Sequence, residues 1–500
     1  MFLFLMFACA HRPYDMIRKR PEVSHCAELP QYPTKSLVQL REIWQGKIEQ
    51  KKTATYFLED GAGALAARAW LIEQAQETID LQYFIFSADR IGLLASNELY
   101  LAAKRGVKVR LLVDDTLAHG DEQVLLALDS HPNLEVHVYN PNLKIGKNTV
   151  DTLVNIATDF RGVNQRMHNK NIIIDGDVVI TGGRNVGEEY FDMDAEYNFR
   201  DRDVLLYGDT GAIQTSFNEF WDSPLSVPIG LLLKPQKEEK KNEFLHQLEE
   251  YGCDVSIYPA SFRERISKYP DLLLDREASG ALQWVDGIEY VSDAPIKNKS
   301  DNLLGGGLST NGLVTLLQNA NKRVWIQTPY LVMTDFGLQI FSLLRERGVE
   351  VKIITNSLAA TDSYAAFNGY QKIRGRLLDM GVEIYEFKPD AEILGVVHSS
   401  GYPKLRNTPH GVHAKSMIID DDKSIITTFN LDPRSANLNT ENYTLITSEH
   451  MNAKLSMFFE AETKPENSWQ IKKDFNPDSE GGFRKNFWTW ISGIVPRALL

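Results

Sequence analysis

Two stretches of the chain set out the same chemical groups at the same spacing. HNKNIIID runs from His168 to Asp175, and HAKSMIID runs from His413 to Asp420, 245 positions later. Each reads His-x-Lys-x-x-Ile-Ile-Asp, and each is followed ten residues after its Asp by an asparagine, Asn185 or Asn430. A neutral imidazole attacks phosphorus, and a protonated one hands a proton to a leaving oxygen. Lysine and asparagine donate hydrogen bonds to anionic oxygens. Two imidazoles, two ammonium groups and two carboxamides therefore fit a phosphodiester. The lysines supply the positive charge that stabilises the transition state, so the chemistry calls for no metal and no cofactor. One His-x-Lys alone is common and ordinarily a packed or surface strand residue. Two copies that also agree at the aspartate and the asparagine are not a chance match.

The surrounding sequence shows how these groups are held. Ile172 to Ile174 read as a strand, on which residues two apart share a face, so His168 and Lys170 project together. Asp-Gly-Asp is a turn, and VVITGG returns to Asn185. The second copy behaves alike, with His413 and Lys415 on one face, a turn through Asp420, Asp421 and Asp422, and SIITTFN returning to Asn430. Asp175 and Asp420 are candidate site residues by their place in the motif, but they suit holding the turns through backbone hydrogen bonds. The repeat extends further. ETIDLQYFIF (77–86) leads through a helical segment to RGVKVRLLVDD (105–115), and KRVWIQTPYL (322–331) leads in the same way to RGVEVKIITNS (347–357). Apolar strand, amphipathic helix and apolar strand make a βαβ unit on a buried, largely parallel sheet. The fold class is α/β: two lobes related by a pseudo-two-fold axis, each a mostly parallel or mixed sheet flanked by helices, with one active site at their interface. The divisions are an extension at 1–45, a first lobe at 46–232, a connector at 233–300, a second lobe at 301–464 and an aromatic tail at 465–500.

The doubled motif, each copy followed by a small-residue turn and Asn, resembles the phospholipase D superfamily. GGRNVGEEYF (182–191), FRDRDV (199–204) and FNLDPRSANLNTEN (429–442) narrow this further, to a resemblance with bacterial cardiolipin synthases, and the layout over residues 50 to 465 is similar to their C type. The resemblance implies a role for each matching residue. His168 is the nucleophile that forms a phosphohistidine. His413 is the acid, then the base for the acceptor, an order that the near-symmetry of the site leaves reversible. Lys170, Lys415, Asn185 and Asn430 hold the phosphate oxygens.

A carboxylate should orient each histidine through its other ring nitrogen. Glu441 lies 28 residues beyond His413 and matches the family's glutamate. In the first half the same spacing points to Glu196, whereas aligning DRDVLL with ENYTLI points to Asp201, with Asp203 nearby; Asp201 or Asp203 is preferred. The sequence departs from the family where Thr427-Thr428 stand in place of Gly-Ser. The β-branched Thr427 should narrow the backbone approach in the second half-site. The first copy has Gly183 where a hydroxyl is expected.

Composition bounds the substrate. The net charge is −13, and a protein that grips nucleic acid is expected to carry a basic surplus, which makes a nucleic-acid phosphodiesterase the less favoured reading. The leading expectation is a transphosphatidylase that passes a phosphatidyl group to phosphatidylglycerol, with phosphatidylethanolamine as a further substrate. Hydrolysis by a phospholipase D releasing phosphatidic acid is the alternative, and a lipid-binding scaffold with a decayed site is a non-enzymatic one. A partner protein is compatible with any of these. MFLFLMFACA, ending in a small residue and Cys9–Ala10, looks like the tail of a lipoprotein signal, although it is short and no Lys or Arg precedes it. The expected location is the bacterial cell membrane, through a lipid anchor on Cys9, with secretion as the other outcome.

Several features read as structural. Cys26 and Cys253 form no CxxC pattern and read as unpaired packed thiols. Asp114-Asp115 read as a strand end, and 234–250 reads as a solvated charged helix. His398 and His410 fall in a surface loop. In the tail, Trp469, Phe483, Phe487, Trp488, Trp490 and Ile491 read as packing across the body, with a lipid interface as the alternative.

Overall fold

The computed structural model describes residues 32–115, 122–142, 160–254, 260–297, 306–394 and 408–500, with the single positions 145, 147, 155 and 257. Cys9, Cys26 and His398 lie outside the described residues. Cys253 is disulfide-bonded, against the expectation of an unpaired thiol. Sequence spacing reveals local cysteine motifs but is blind to a pair that folding brings together.

Two large sheets repeat one design. The first runs in the order Gln283–Val285, Thr53–Leu58, Asp203–Tyr207, Val178–Gly182, Asn171–Ile174, Thr78–Tyr83, Lys108–Asp114, Leu134–Tyr139, Ser226–Pro228. The second runs Ile288–Ser292, Asn442–Thr447, Lys423–Thr427, Ser416–Ile419, Arg323–Gln327, Glu350–Asn356, Glu383–Phe387, Ser468–Gln470. Apart from the extra edge strand of the first, they correspond strand for strand. In each, the three strands linked by crossover helices pair in parallel and the rest pair antiparallel, so the sheets are mixed. Both motif hairpins form as the isoleucine runs require, with Asn171 opposite Thr181 and Ser416 opposite Ile426.

The sheets share a core. Leu112, Ile173, Val179 and Leu206 of the first lobe pack in one buried cluster with Trp325, Ile354, Ile418 and Ile426 of the second. The helices Gly211–Trp221 and Glu449–Glu462 place Phe217, Phe220, Leu455 and Phe459 in the same cluster. Removing any of these large side chains would cost about 2–5 kcal/mol. The segment between the lobes does more than connect them. Gln283–Val285 extends the first sheet and Ile288–Ser292 extends the second. The charged run forms the helix Glu238–Cys253, which buries Phe244, Leu245, Leu248 and Tyr251 and leaves most of its charges outside. Among the described residues no helix is long and apolar enough to cross a membrane.

The tail divides. Trp469 packs against the second lobe's core from a strand paired with Glu383–Phe387, and Ile471 is buried. The helix Gly482–Ser492 instead leaves Phe483, Phe487, Trp488 and Trp490 exposed, contrary to the expectation that the aromatics pack inward.

Candidate active site

Both histidines stand just before their strands, where the chain crosses to the other lobe. The first motif's strand begins at Asn171, because the backbone ahead of it pairs elsewhere: Met167 bridges Thr440, and the His168 amide donates to the Thr440 carbonyl at 3.0 Å. In the second motif, His410–Val412 pairs in parallel with Asn198–Arg200, and the His413 amide donates to the Arg200 carbonyl at 2.8 Å. Each histidine thus lies beside the residue that precedes a carboxylate of the opposite lobe.

The side chains complete that exchange. His168 Nδ1 is 2.8 Å from Glu441 Oε2, and His413 Nδ1 is 2.6 Å from Asp201 Oδ2. All four groups are buried. Burial works to raise both carboxyls, but the facing imidazoles and neighbouring cations outweigh it and hold Glu441 and Asp201 below the usual carboxylate range. An ionised carboxylate only accepts, so Nδ1 carries the proton and Nε2 presents its lone pair. Desolvation pushes His168 down to about 4, the lysines adding to it, and pushes His413 down to about 3 by the same causes. Phe84 meets the His168 ring edge-on at 5.1 Å between centroids, and Tyr190 meets His413 likewise at 5.2 Å.

Each lysine is buried beside its own histidine. Lys170 Nζ donates to the His168 carbonyl and Lys415 Nζ to the His413 carbonyl, each at 2.5 Å. Desolvation lowers Lys170 to about 7, with repulsion from Lys415 as the next cause; desolvation lowers Lys415 to about 8. Two buried ammonium groups, one repelling the other, are poised to take up an anion. Asn185 Oδ1 accepts from the Ile85 amide at 3.1 Å, which leaves its NH2 as the donor. Asn430 is buried, and its Oδ1 has no hydrogen-bond partner among the described residues.

Other sequence candidates fall elsewhere. Glu196 is exposed, so the 28-residue spacing points to the wrong carboxylate. Asp203 is buried against Arg68 and Arg184 in the first lobe. Asp175 and Asp420 are at the far ends of the motif strands, away from the histidines. Asp175 accepts from the amides of Gln76, Glu77 and Thr78, and Asp420 from those of Asn321, Lys322 and Arg323. Both are in the left-handed region, at φ 49° and 52°. Asp114 binds Arg166 and the Met167 amide, steadying the approach to His168. His410 is a buried strand residue and not part of a surface loop.

Some supporting groups carry no sequence signal of their own. Asp293, in the connector, accepts from the Glu441 amide at 2.9 Å. Arg200 and Arg202, flanking Asp201, form a buried network with Glu59, Glu462 and Gln327 that ties the lobes together. Breaking one member would leave a buried charge unpaired, at about 3–5 kcal/mol. A cavity of about 420 Å³ lined by residues including Tyr56, Asp60, Lys268 and Arg276 shares no residue with this site.

Comparison with known proteins agrees with the geometry. The sequence matches the family model described as cardiolipin synthase, PLD-like domain, over residues 70–221 and again over 313–463. It is 33% identical to cardiolipin synthase C of Escherichia coli, over 83% of this chain and 86% of that one. It is 31% identical to an uncharacterized protein of Helicobacter pylori, over 80% of this chain and 77% of that one. The crystal structure of phosphatidylserine synthase from Haemophilus influenzae shares the fold, with a TM-score of 0.57 at 15% identity, covering 92% of this chain and all of that one. With two family matches, each containing one of the paired histidines, the chain belongs to the cardiolipin synthase, PLD-like domain family and is an enzyme of the phospholipase D superfamily.

Proposed function

We propose that the protein transfers a phosphatidyl group from one phospholipid to the hydroxyl of phosphatidylglycerol, making cardiolipin. The observation that carries this reading is the exchange of carboxylates between lobes, which leaves two neutral imidazoles facing a pair of buried ammonium groups. His168 Nε2 attacks phosphorus, a P–N bond forms, and the P–O bond to the donor's headgroup alcohol breaks. His413, which takes up a proton at Nε2 as the phosphate anion binds, passes that proton to the departing oxygen. The acceptor hydroxyl then gives a proton back to His413 and attacks phosphorus, and the P–N bond breaks. Lys170 and Lys415 hold the non-bridging oxygens, with the amide nitrogens of Asn185 and Asn430. Glu441 and Asp201 fix the tautomers and balance the imidazolium that forms in each step. The assignment of the nucleophile to His168 rests on the family resemblance.

Membrane association is part of this reading, because both substrates are lipids; the names of the cardiolipin and phosphatidylserine synthase relatives support it. The test follows labelled phosphatidylglycerol, with and without phosphatidylethanolamine, in detergent micelles containing EDTA, using wild type and His168→Ala. Cardiolipin from wild type alone is the expected result, and the phosphatidylethanolamine arm identifies the donor. Phosphatidic acid without cardiolipin would replace transfer by hydrolysis.

A further inference from the structure

The helix Gly482–Ser492 is turned inside out. Its inward side carries Lys485, Asn486, Thr489 and Ser492, all polar and all at least partly buried, and Ile491 is the one large apolar side chain of the helix that is also partly buried. Thr489 is 2% exposed, while Phe483 is 88% and Trp490 75% exposed. Phe487, Trp488 and Ile494 are exposed beside them. A surface helix normally buries its apolar stripe and solvates its polar one. Here the aromatics also touch one another: Phe487 lies 6.2 Å from Phe483, 5.8 Å from Trp488 and 6.5 Å from Trp490 between ring centroids. The patch is continuous.

The polar side is firmly seated. Asn486 donates to the Asp478 carbonyl at 3.0 Å, and Lys485 donates to the Ala359 carbonyl. A Cβ added at Gly481 would meet the Leu358 side chain at 2.5 Å, so the helix start presses on that segment. The same segment backs onto the candidate site. Tyr197 donates to the Ala360 carbonyl at 2.6 Å, and a Cβ at Gly411 would meet that carbonyl at 2.7 Å, two residues before His413. The exposed patch is therefore fixed to the chain that carries His413.

We propose that this helix is a membrane-docking element, which lies in the headgroup region of a bilayer with Phe483, Phe487, Trp488, Trp490 and Ile494 inserted. Phe483, Phe487 and Trp490 share one stripe of the short helix, with the exposed Arg484 and Trp488 beside it, an arrangement that suits the lipid–water boundary. A second copy of the chain fits less well. At their fractional exposures the five side chains offer on the order of 600 Å², below the roughly 800 Å² per partner of a stable protein interface. The chain's net charge of −13 favours insertion over attraction to anionic lipid as the drive for the contact. Docking does not depend on the proposed reaction.

The full chain, carrying Cys9→Ser in every arm, would be sedimented with phosphatidylcholine vesicles and with phosphatidylglycerol vesicles at low and high salt. The expected result is binding to both that survives high salt, because buried aromatics are not screened. Phe483→Ser with Trp490→Ser and Ile494→Ser should lower partitioning by roughly tenfold or more. Brominated lipids should quench tryptophan emission in the wild type, and Trp488→Phe with Trp490→Phe should remove that quenching while keeping the binding. His168→Ala should bind as wild type does, so a failed reaction would leave docking standing. Equal binding by the serine variant would overturn the proposal. So would quenching that survives the phenylalanine variant, or a dimer that the serine variant turns to monomer without change in vesicle binding.

Discussion

The His168 half-site uses Glu441 with Thr428 behind it, and the His413 half-site uses Asp201 with Gly183 behind it. The nitrogen–oxygen distances differ by only 0.2 Å (2.8 against 2.6 Å), so a shorter side chain and a longer one reach the same result. What lies behind each carboxylate explains how. A Cβ at Gly183 would fall 2.0 Å from Asp201 Oδ1, so the short carboxylate occupies the space that a side chain would fill. Thr428 has its side chain, and its hydroxyl helps to hold Glu441 below the usual range. The glycine and the missing methylene are one adjustment, and the departure from symmetry preserves the chemistry. Thr427 fits the same account, because its hydroxyl donates to the Asn442 carbonyl at 2.6 Å and accepts from the Phe429 amide at 3.0 Å.

The largest effects should come from the histidines, and they should divide the half-sites by role. His168→Gln and His413→Gln are each expected to lower turnover by about 10³-fold or more. Only His413→Gln should accumulate a covalent phosphoprotein, seen by mass spectrometry with a phosphodiester whose leaving group needs no acid. Label on the His168→Gln protein would reverse the assignment. The carboxylates come next. Asp201→Asn and Glu441→Gln keep the shape and lose the charge that sets the tautomer, so each should cost about 10²–10³-fold. Because the pairing crosses the lobes, Asp201→Asn should shift the NMR titration of His413 and leave that of His168 in place. The opposite pattern would break the exchange described above.

This crossing marks the limit of what the sequence made legible. The duplication, both hairpins and the two pairs of His and Lys follow from local patterns: isoleucine runs, turn residues and a constant offset of 245. Strand alignment reached Asp201 where residue counting reached Glu196, because the first lobe carries five more residues than the second between its histidine and its carboxylate, in the stretch holding the helical turn Glu188–Tyr190. Which carboxylate serves which histidine was beyond reach, since it depends on how the lobes meet. Asp293 and Glu59 were missed for the same reason, as their partners are distant in the chain. The outward aromatics of the last helix show a related limit: composition suggested burial, and only the packing shows that the polar side faces inward.

Gly183→Ala tests the adjustment itself. The methyl would displace Asp201, so turnover should fall by roughly 10²-fold, as expected for a misplaced positioning group. Thr428→Gly removes a hydroxyl that accepts from the Asn442 amide at 3.0 Å, next to Glu441, and should cost only about fivefold. Equal losses would mean that the half-sites are not adjusted separately.

The lysines offer the finest distinction. Only a protonated lysine holds an anionic oxygen, and without substrate Lys170 loses its proton near pH 7 and Lys415 near pH 8. Affinity for an unreactive phosphonate analogue of the substrate should therefore be flat from about pH 5 to 7 and fall as pH rises, by about tenfold per pH unit once the first lysine titrates. Arginine stays charged throughout this range. Lys170→Arg should move the start of the fall from about 7 toward 8, where Lys415 takes over. Lys415→Arg should leave it near 7. Lys415 keeps its proton longer because Asp201, Glu441, Asp362 and Asp432 all act on it, whereas Lys170 has repulsion from Lys415 as its second-largest influence. Affinity profiles normalised to their own plateaus would show this even if arginine lowers the absolute affinity. Identical limbs in the two variants would mean that the lysines titrate as one shared group, and the two half-sites would then be electrostatically equivalent despite their different carboxylates.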